Sequence, residues 1–283
     1  MAPVSAGGPR PSLPVTVVVP VRNEEKNIAE CLTRLRGFAG VLVVDSGSTD
    51  RTCDIAREHG ARVITFEWDG RFPKKRNWVL RTQAIETPWV LFLDADEFIT
   101  PEFIAELRSA IEGTSRVGFW LAYRNHFMGR YLRHGDVLTK LALFRVGAGE
   151  YEKIDDDYWS NLDMEVHEHP VLEGETGSIS SPILHRDFKG MRAYFDRHNQ
   201  YSSWEAHRYH AMRADLAARW STLTLRQKFK YRLLDTWLLG PAFFAYSYVF
   251  RLGFLDRLPG FVYALCKCMY FWQIKIKLRE LKL

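Results

Sequence analysis

The sequence predicts an α/β fold with a mostly parallel sheet flanked by helices. Four short, apolar and β-branched runs alternate with amphipathic segments along the N-terminal third of the chain. This alternation is typical of successive strand–helix–strand units, whose strands pair in parallel. Two of the four runs end in an aspartate, and ligands of parallel sheets bind at the carboxyl ends of the strands. The pattern therefore predicts the fold and the edge of the sheet where its chemistry takes place.

The predicted strands and helices follow from the spacing of the apolar residues. Continuous apolar runs such as VTVVVP and VLVVD indicate strands that are buried on both faces. Apolar residues at helical spacing, such as Ile28, Leu32 and Leu35, indicate amphipathic helices between the strands. Strands are predicted at 15–20, 41–45, 61–66 and 88–94, and helices at about 24–37, 50–59 and 73–86.

The rest of the chain is predicted to change from a mixed to a helical character. A helix is expected from Pro101 to about Ile111, followed by antiparallel strands over 117–129 and 138–146. An acidic loop over 151–170 and a short strand over 178–184 come next. The predicted domains are a disordered leader (1–13), an α/β domain (14–188, with halves 14–115 and 116–188) and a helical, amphipathic C-terminal appendage (189–283).

Composition and charge indicate a cytosolic protein with an anionic partner. The leader lacks the apolar core of a secretory signal, and Cys31, Cys53, Cys266 and Cys268 form no CxxC pair, which favours reduced thiols. From residue 186 to the end there are 18 lysines and arginines against 7 acidic residues, whereas the whole chain has 39 against 34. Such a basic region suits an anionic membrane, an anionic substrate or nucleic acid.

Asp94-Ala95-Asp96 is the pattern with the clearest chemical interpretation. It follows directly from the apolar run WVLFLD, so that both carboxylates reach one small volume at a strand end. Carboxylate oxygens are the ligands that Mg²⁺ and Mn²⁺ prefer, and such a cation neutralises a nucleoside diphosphate when its bond to a sugar breaks. The alternative is an acidic loop whose carboxylates are only solvated.

A second strand-end aspartate, Asp45, is predicted to lie on the same edge. Ser48 or Thr49 as a helix N-cap explains the following turn, but leaves Asp45 a free carboxylate for a uracil imide N–H or a ribose hydroxyl. Asn23 and Glu24, in the loop after the first strand, suit base and ribose recognition, or only favour the start of a helix.

A basic element, KKRN at 74–77, is the third polar feature of this half. Two or more of its side chains are expected to face the solvent, and one of them to reach the diphosphate. Trp78 and Leu80, which follow it, are expected to lie in the core.

Four segments and their spacing resemble the nucleotide-binding half of glycosyltransferase family 2, the inverting enzymes of the Rossmann-like GT-A fold: VVVPVRNEEKNI, VLVVDSGSTDRT, KKRNW and WVLFLDADE. The resemblance covers roughly residues 14–115. Later segments resemble a narrower group that includes lipopolysaccharide-core glucosyltransferases and other surface-polysaccharide enzymes: EVHEHP, ILHRD, RHNQYSSWEA and RLGFLDRLPGF.

The resemblance implies a site for a nucleotide-sugar donor, of which a UDP-sugar is the expected one. It implies that Asp45 contacts the nucleoside, and that Asp94 and Asp96 contact the ribose and the metal–diphosphate, with Asp96 the expected direct ligand of Mg²⁺ or Mn²⁺. His185 is a further expected contact of the metal or diphosphate, or else a structural histidine. The predicted donor-binding residues are Pro20, Arg22, Asn23, Glu24, Asp45, Lys75, Arg76, Asp94, Ala95 and Asp96.

Inverting transfer also needs a general base that takes the proton of the acceptor hydroxyl. In the wider family this base is a carboxylate of an ED-type motif well beyond the DxD motif. The segment at that distance here, MEVHEH, has no ED pair. Glu168, beside His167, is the first choice for the base and Glu165 the second. The alternative is an acidic surface loop.

The C-terminal region combines dense aromatic runs with flanking lysines and arginines. The runs 233–250 and 258–283 are interrupted by Gly240-Pro241 and by Lys267, so neither is expected to span a membrane. Both suit helices that lie in a membrane interface. The alternatives are core packing or a dimer interface. Nucleic-acid binding is not favoured, because the aromatics stand in apolar runs and do not alternate with charge.

The predicted function is that of a metal-dependent inverting hexosyltransferase. It moves a hexose or N-acetylhexosamine from the nucleotide-sugar to a hydroxyl of a lipid-linked saccharide, such as the lipopolysaccharide core, at the inner face of the cytoplasmic membrane. Residues 14–115 are expected to bind the donor and 116–188 the acceptor. Two alternatives stay open: a polyprenyl-phosphate sugar synthase, whose acceptor needs no base, and a non-catalytic membrane-surface scaffold with a vestigial donor site.

Overall fold

The computed structural model describes residues 12–153, 163, 169–212 and 225–282. Within them the chain forms two compact units. The first unit contains 12–123, 139–153, 163 and 169–184, and the second contains 124–138, 185–212 and 225–282. The predicted leader lies outside the described residues up to residue 11. Its predicted end at residue 13 is wrong, because Leu13 begins a strand and is fully buried.

The strands in chain order are β1 (Leu13–Val21), β2 (Phe38–Asp45), β3 (Arg62–Thr65), β4 (Trp89–Phe92), β5 (Glu97–Phe98), β6 (Gly118–Phe127), β7 (Arg130–Tyr131), β8 (Leu138–Arg145), β9 (Gly149–Tyr151), β10 (Pro170–Leu172) and β11 (Thr176–His185). The α-helices are α1 (Ile28–Arg34), α2 (Thr52–Glu58), α3 (Lys75–Thr82), α4 (Pro101–Ile111), α5 (Met191–Met212), α6 (Leu225–Leu234), α7 (Leu239–Phe244) and α8 (Arg257–Glu280). A π-helix (Ala245–Phe250) and a 3₁₀-helix (Gly253–Asp256) lie between α7 and α8.

One mixed sheet organises the described residues. Its order is β3-β2-β1-β4-β8-β6-β11-β5, with β7 paired to β6. The four N-terminal strands pair in parallel, β1 with β2 and β4, and β2 with β3. β8 then joins β4 in the antiparallel direction, while β9 and β10 form a separate antiparallel pair. The predicted α/β fold, with its mostly parallel sheet and its C-terminal helices, is confirmed.

The core of the first unit lies on the parallel strands. Val18, Val44 and Phe92 come from β1, β2 and β4 and are buried in one cluster. Burial of each such side chain stabilises the fold by about 1.5–3 kcal/mol, before the entropy cost of ordering it. Trp78 and Leu80 on α3 pack against this cluster, as predicted.

The predicted helices of the first unit are present but shorter than the sequence predicts. α1 occupies only 28–34 of the predicted 24–37, because the preceding residues form a loop that binds the loop after β2. α3 ends at Thr82, after which Gln83 is extended. α4 has the expected limits, and the hydroxyl of Thr100 accepts a hydrogen bond from the backbone N–H of Phe103 at its N-terminus.

The tip of the hairpin between β6 and β8 belongs to the second unit, although the sequence predicts it in the α/β domain. The ring of Phe127 lies 5.3 Å from that of Tyr263 on α8. The carboxylate of Asp256, which is almost fully buried, accepts a hydrogen bond from the backbone N–H of Arg133 at 2.8 Å. Aromatic packing and a buried hydrogen bond thus hold residues 124–138 against the C-terminal helices.

The second unit contains the long helices α5 and α8, which lie in the region predicted as a helical appendage. The ammonium of Lys277 on α8 donates to the backbone oxygen of Asn199 at 2.6 Å and to the hydroxyl of Ser203 at 2.8 Å. Lys275, buried on the same helix, forms an ion pair with Asp235. No helix in the described part of the chain has the length and apolarity needed to cross a membrane.

His198 on α5 gives the second unit a predicted sensitivity to acid. Its ring stacks on Tyr194 at 3.8 Å, and its Nδ1–H donates to the Tyr194 carbonyl. Burial and the nearby Lys267 ammonium lower the pKa of His198 from 6.5 to about 4. The unfolded chain therefore binds a proton on His198 at a higher pH than the folded chain does. The contribution of neutral His198 to the free energy of unfolding is complete above pH 6.5 and is lost as the pH falls to about 4.

We expect the free energy of unfolding to fall by on the order of 2 kcal/mol more in the wild type than in His198→Phe over this pH range. The comparison is made by denaturant unfolding at a series of pH values. His210→Phe, which replaces an exposed histidine of the same helix, is the control and should keep the wild-type slope. Equal slopes for wild type and His198→Phe contradict the prediction.

Candidate active site

The two strand-end aspartates lie on the same edge of the sheet, as the sequence predicts. β1 runs between β2 and β4, with Val21 beside Asp45 on one side and Val18 beside Phe92 on the other. Asp94 follows Phe92 by two residues and so comes level with the end of β1. Neighbouring strands are about 4.8 Å apart, which places the ends of β2 and β4 roughly 10 Å from one another.

Asp45 has a structural task that the sequence did not predict. Its nearly buried carboxylate accepts hydrogen bonds from the backbone N–H groups of Gly47 and Ser48 at 3.1 Å, and from the Ser48 hydroxyl. The expectation that this carboxylate is free is therefore wrong. Gly47 has φ of +75°, a conformation that L-residues with a side chain rarely adopt, so the turn around the carboxylate requires glycine. A nucleoside contact by Asp45 stays a prediction.

The loops after β1 and β2 are joined by hydrogen bonds in both directions. The backbone N–H of Asn23 donates to the Ser48 hydroxyl at 2.9 Å, and the Asn23 side-chain oxygen accepts from the backbone N–H of Thr49 at 2.8 Å. The backbone N–H of Glu24 donates to the Thr52 hydroxyl at 2.8 Å. Because each loop holds the other, the two form one platform at the predicted nucleoside position.

Two further predicted donor residues flank this platform. Pro20 lies buried near the end of β1, and Arg22, one residue beyond the strand, is exposed. Pro20 thus shapes the edge, and Arg22 is accessible to a ligand.

The basic element at the start of α3 is buried, which corrects the expectation that its cations face the solvent. Lys74 and Lys75 are both nearly buried, and Arg76 is half-buried. The Lys75 ammonium lies 3.1 Å from the carboxylate of Asp163. The Arg76 guanidinium lies 3.4 Å from the carboxylate of Asp94 and stacks over the ring of Tyr151. These carboxylates bring counter-charges to Lys75 and Arg76, which offsets the cost of burying the two cations.

Asp163 is a site residue that the sequence did not single out. Besides Lys75, its carboxylate accepts a hydrogen bond from the Ser46 hydroxyl at 2.6 Å, and its backbone oxygen accepts from the Lys75 N–H at 3.0 Å. Burial alone would raise the pKa of Asp163, but the Lys75 ammonium and the Ser46 hydroxyl outweigh it and lower the pKa below its usual value. Asp163 therefore stays ionised and is held against Lys75 on α3 and Ser46 in the turn after β2.

The predicted bases Glu165, His167 and Glu168 lie outside the described residues, and their roles stay predictions. They follow Asp163 in sequence within the acidic loop.

The carboxylates of the DADE segment (94–97) form ion pairs with two basic side chains of the protein. Lys140 on β8 forms ion pairs with Asp94, at 3.1 Å, and with Glu97. Arg76 contacts the other oxygen of the Asp94 carboxylate. Glu97, only 1% exposed, also accepts a hydrogen bond from the backbone N–H of Asp94 at 3.1 Å. Asp94 is thus fixed from both sides, while Ala95 is buried and Asp96 is half-buried.

Lys140 and Glu97 are functional candidates that the sequence reasoning missed. Burial tends to lower the pKa of Lys140, but the carboxylates of Asp94 and Glu97 raise it well above its usual value, so that the side chain stays charged. The signal in the sequence is a single lysine in the otherwise apolar strand LTKLALF. Burial is the main cause of the raised pKa of the Cys31 thiol, and the same acidic cluster raises it further.

The ligand set fits a divalent cation that arrives with a diphosphate. In the part of the chain that the structure describes, no three His, Cys, Asp or Glu side chains converge closely enough to hold a metal ion alone. Mg²⁺ and similar ions are commonly held by one or two carboxylates together with substrate phosphates and water. The charges of Asp94, Asp96 and Glu97, set against Arg76 and Lys140, leave one net negative charge. Asp96 and Asp94 therefore supply a partial site.

His185, the third predicted metal contact, belongs to the second unit. Its Nδ1 lies 3.0 Å from the side-chain oxygen of Asn125, which accepts the Nδ1 proton. The Asn125 side-chain NH₂ lies 3.3 Å from the hydroxyl of Tyr263 and donates to it. This arrangement fixes the ring orientation and directs the basic Nε2 away from Asn125, as in many metal-binding histidines. The metal contact itself stays a prediction.

Replacement of Lys140 tests whether it is the permanent counter-ion of the acidic edge. Lys140→Met leaves Glu97 without this charge partner, and loss of one member of a buried ion pair costs about 3–5 kcal/mol. Because Lys140 is 30% exposed, we expect a loss of roughly 2–3 kcal/mol in the free energy of unfolding. Mn²⁺ with UDP should raise the melting temperature of this variant more than that of the wild type.

Two variants serve as controls for this experiment. Lys140→Arg keeps the charge and should retain most of the stability, and Lys26→Met removes an exposed lysine and should have little effect. A Lys140→Met protein as stable as Lys26→Met contradicts the assignment.

Comparisons with known proteins identify the family of the chain. The family model described as glycosyl transferase family 2 matches residues 16–164, which is more than half of the chain. The lipopolysaccharide core biosynthesis glycosyltransferase LpsC of Rhizobium meliloti (strain 1021) is 28% identical over 207 residues, which are 69% of this chain and 72% of that protein. An uncharacterised glycosyltransferase of Rickettsia typhi is 25% identical over 277 residues, 95% of this chain and 88% of that protein.

Solved structures match a smaller part of the chain. Glucosyl-3-phosphoglycerate synthase of Mycobacterium tuberculosis, solved with Mn²⁺, UDP and glucosyl-3-phosphoglycerate, is 27% identical over 40% of this chain, with a TM-score of 0.33. The match spans 44% of that structure's chain. The resemblance drawn from the sequence motifs is confirmed by the family model and by LpsC. Its α/β architecture is the one predicted from the sequence, and the chain belongs to glycosyl transferase family 2.

Proposed function

We propose that this glycosyltransferase moves a hexose or N-acetylhexosamine from a UDP-sugar to a hydroxyl of a lipid-linked saccharide, with inversion at the anomeric carbon. The observation that carries the proposal is the acidic edge at Asp94 and Asp96, which lies beside the platform formed by the loops after β1 and β2. This arrangement supports the binding of a nucleoside on the platform and of a metal-bound diphosphate beside it.

The platform residues support binding of the nucleoside. The loop around Asp45 is held rigid by its own carboxylate and by the contacts between Asn23 and Thr49. A rigid loop loses little conformational entropy when a ligand binds, which favours affinity. Arg22, which is exposed, and Glu24, whose carboxylate accepts a hydrogen bond from the Asn27 side chain at 2.7 Å, lie on the loop after β1 and are the proposed ribose and base contacts.

The charges at the end of β4 support binding of the diphosphate together with a cation. Arg76 and Lys140 already balance Asp94 and Glu97, so these two cations do not neutralise an incoming diphosphate by themselves. A bound Mg²⁺ or Mn²⁺ supplies that neutralisation and stabilises the departing nucleoside diphosphate. Asp96 is the proposed direct ligand, Asp94 positions the ribose or the cation, and His185 is the proposed additional contact.

Transfer to a hydroxyl also requires removal of its proton as the oxygen attacks the anomeric carbon. A carboxylate near its usual pKa accepts this proton only when it is held within hydrogen-bond distance of the hydroxyl. Glu168 is the proposed base, with Glu165 as the alternative and His167 beside them. Asp163, earlier in the same loop, is tied to Lys75 and Ser46 at the donor edge.

The proposed acceptor is a sugar of a lipid-linked saccharide such as a lipopolysaccharide core. The support is the similarity to LpsC, whose name places it in lipopolysaccharide core biosynthesis. The basic C-terminal third agrees with an acceptor at an anionic membrane. We therefore place the enzyme at the inner face of the cytoplasmic membrane as a peripheral protein.

Asp96→Asn tests the donor half of this proposal. We expect UDP-sugars with Mn²⁺ to raise the melting temperature of the wild type by several degrees, and at least tenfold weaker nucleotide binding in Asp96→Asn, because one carboxylate ligand is lost. The measurement is a thermal-shift screen of nucleotide-sugars with and without Mn²⁺. Asp54→Asn, an exposed aspartate on α2, is the matched control and should behave as the wild type.

The screen also has an outcome that rejects the proposal. If no nucleotide-sugar stabilises the wild type with or without Mn²⁺, the protein is not a donor-using enzyme, and the scaffold alternative stands.

Glu168→Gln and Glu165→Gln test the nature of the acceptor. We expect Glu168→Gln to lower the rate of transfer at least 100-fold while donor binding is unchanged, because general-base catalysis contributes about 10²–10⁴-fold. The measurement is transfer of radiolabelled sugar to membrane extracts, beside thermal shift with UDP-sugar. If both variants transfer at the wild-type rate, the acceptor is already ionised, as in a polyprenyl phosphate, and the proposed hydroxyl acceptor is wrong.

A further inference from the structure

α8 carries an apolar stripe on its outer face that the packing of the second unit covers only in part, through Phe261 and Trp272. Six large apolar residues along it are exposed, and they recur every three or four positions, which places them on one face of the helix. At 1.5 Å per residue the stripe is about 27 Å long. Its members are Leu258, Phe261, Leu265, Met269, Trp272 and Ile276.

The opposite face of α8 is buried and holds the helix in the second unit. Ala264, Ile274 and Leu278 are buried there. At Gly260 a methyl group would lie only 2.1 Å from the backbone oxygen of Gly253, so that the contact with the 3₁₀-helix has no space left. A helix that is apolar on both faces is typical of proteins that bury both of them. Within the part of the chain that the structure describes, the exposed side chains of this outer stripe are therefore open to a partner.

The apolar surface extends from the stripe onto the π-helix and the 3₁₀-helix. The ring of Tyr248 lies 5.6 Å from that of Phe261 and 6.2 Å from that of Phe254. Phe250, which ends the π-helix, is 77% exposed. Single exposed apolar residues are ordinary, but a continuous surface of this size marks a binding site. Its other exposed members are Tyr246, Val249, Leu252 and Leu255.

The charges around this surface select an anionic partner. Between residues 225 and 283 there are eleven lysines and arginines and three acidic residues. Asp235 is engaged by Lys275 and Lys282, and Asp256 is buried in hydrogen bonds to the hairpin backbone. Arg251, Arg257 and Arg279 stay exposed near the ends of the apolar segments. A second copy of the chain would bring the same positive charge to the contact, so like charges oppose self-association through this face.

We infer that the outer stripe of α8 and the adjoining π-helical and 3₁₀ segments seat the protein on a bilayer with anionic headgroups. The apolar and aromatic side chains enter the boundary between headgroups and acyl chains, α8 lies along the surface, and the arginines contact the phosphates. This inference specifies how the proposed membrane location is achieved. It does not depend on the donor chemistry, since binding to vesicles is measured without any sugar substrate.

Leu258→Glu tests the inference, with Val171→Glu as its matched control. Leu258 is 62% exposed in the stripe and Val171 is 64% exposed on β10, so the two variants make the same charge change at equally accessible positions. The measurement is flotation of the full-length protein with vesicles of phosphatidylcholine alone or of phosphatidylcholine with phosphatidylglycerol. We expect wild type and Val171→Glu to float with the anionic vesicles, and Leu258→Glu to bind at least about tenfold more weakly.

High salt and the neutral variant Leu258→Gln separate the electrostatic part of vesicle binding from the apolar part. High salt should weaken the binding without abolishing it, because screening acts on the arginines and not on the buried apolar residues. Leu258→Gln should also bind more weakly than the wild type, although less so than Leu258→Glu. An unchanged thermal shift with UDP and Mn²⁺ shows that the variants are folded and keeps failure here distinct from failure of the proposed donor site.

Three results overturn the inference. The first is a wild-type protein that floats with neither vesicle, and the second is equal flotation of wild type and Leu258→Glu. The third is a wild-type dimer in light scattering that Leu258→Glu converts to a monomer, since this assigns the stripe to a second copy of the chain.

Discussion

β1 hydrogen-bonds in parallel to β2 on one side and to β4 on the other, and the residues at the carboxyl ends of all three strands meet at one edge of the sheet. This pairing brings Asn23, Asp45 and Asp94 from distant parts of the sequence to the same place. Because the strand interiors are buried on both faces, a shift of register would expose apolar side chains, which fixes the relative heights of the strand ends. The loops then complete the site through hydrogen bonds that run between them. The geometry of the edge formed by the ends of β1, β2 and β4 is therefore a consequence of core packing.

Charge balance is the second constraint on this edge. Three carboxylates stand in the DADE segment, and the protein supplies two cations, Arg76 and Lys140, from α3 and β8. Asp94 is held from both sides, and Glu97 is buried against Lys140 and a backbone N–H. On the proposed function, the one remaining negative charge would hold a divalent cation weakly by itself and more tightly once a diphosphate adds its own oxygens. These ion pairs explain how the acidic segment is accommodated in the folded protein without a ligand.

The sequence predicts the edge but not the contacts within it. Apolar runs that end in aspartate locate Asp45 and Asp94, because strand ends follow from local hydrophobic pattern alone. Lys140 pairs with Asp94 across 46 positions, and Asp163 pairs with Lys75 across 88 positions. No local pattern encodes such pairs. For the same reason the sequence predicts two or more of the side chains at 74–77 in solvent, whereas Lys74, Lys75 and Asn77 are buried. The hairpin tip at 124–138 was assigned to the wrong unit, because its partners, Tyr263 and Asp256, are more than 120 residues away.

The central claim is that the acidic edge binds a divalent cation jointly with a nucleoside diphosphate. The direct measurement is a titration of the full-length protein with Mn²⁺, followed by the electron paramagnetic resonance of the free ion, with and without UDP. We predict weak Mn²⁺ binding alone and an affinity at least about tenfold higher with UDP, with one ion per chain. UDP affinity should rise by the same factor when Mn²⁺ is present, as linkage requires. Equal Mn²⁺ affinity with and without UDP would contradict the account.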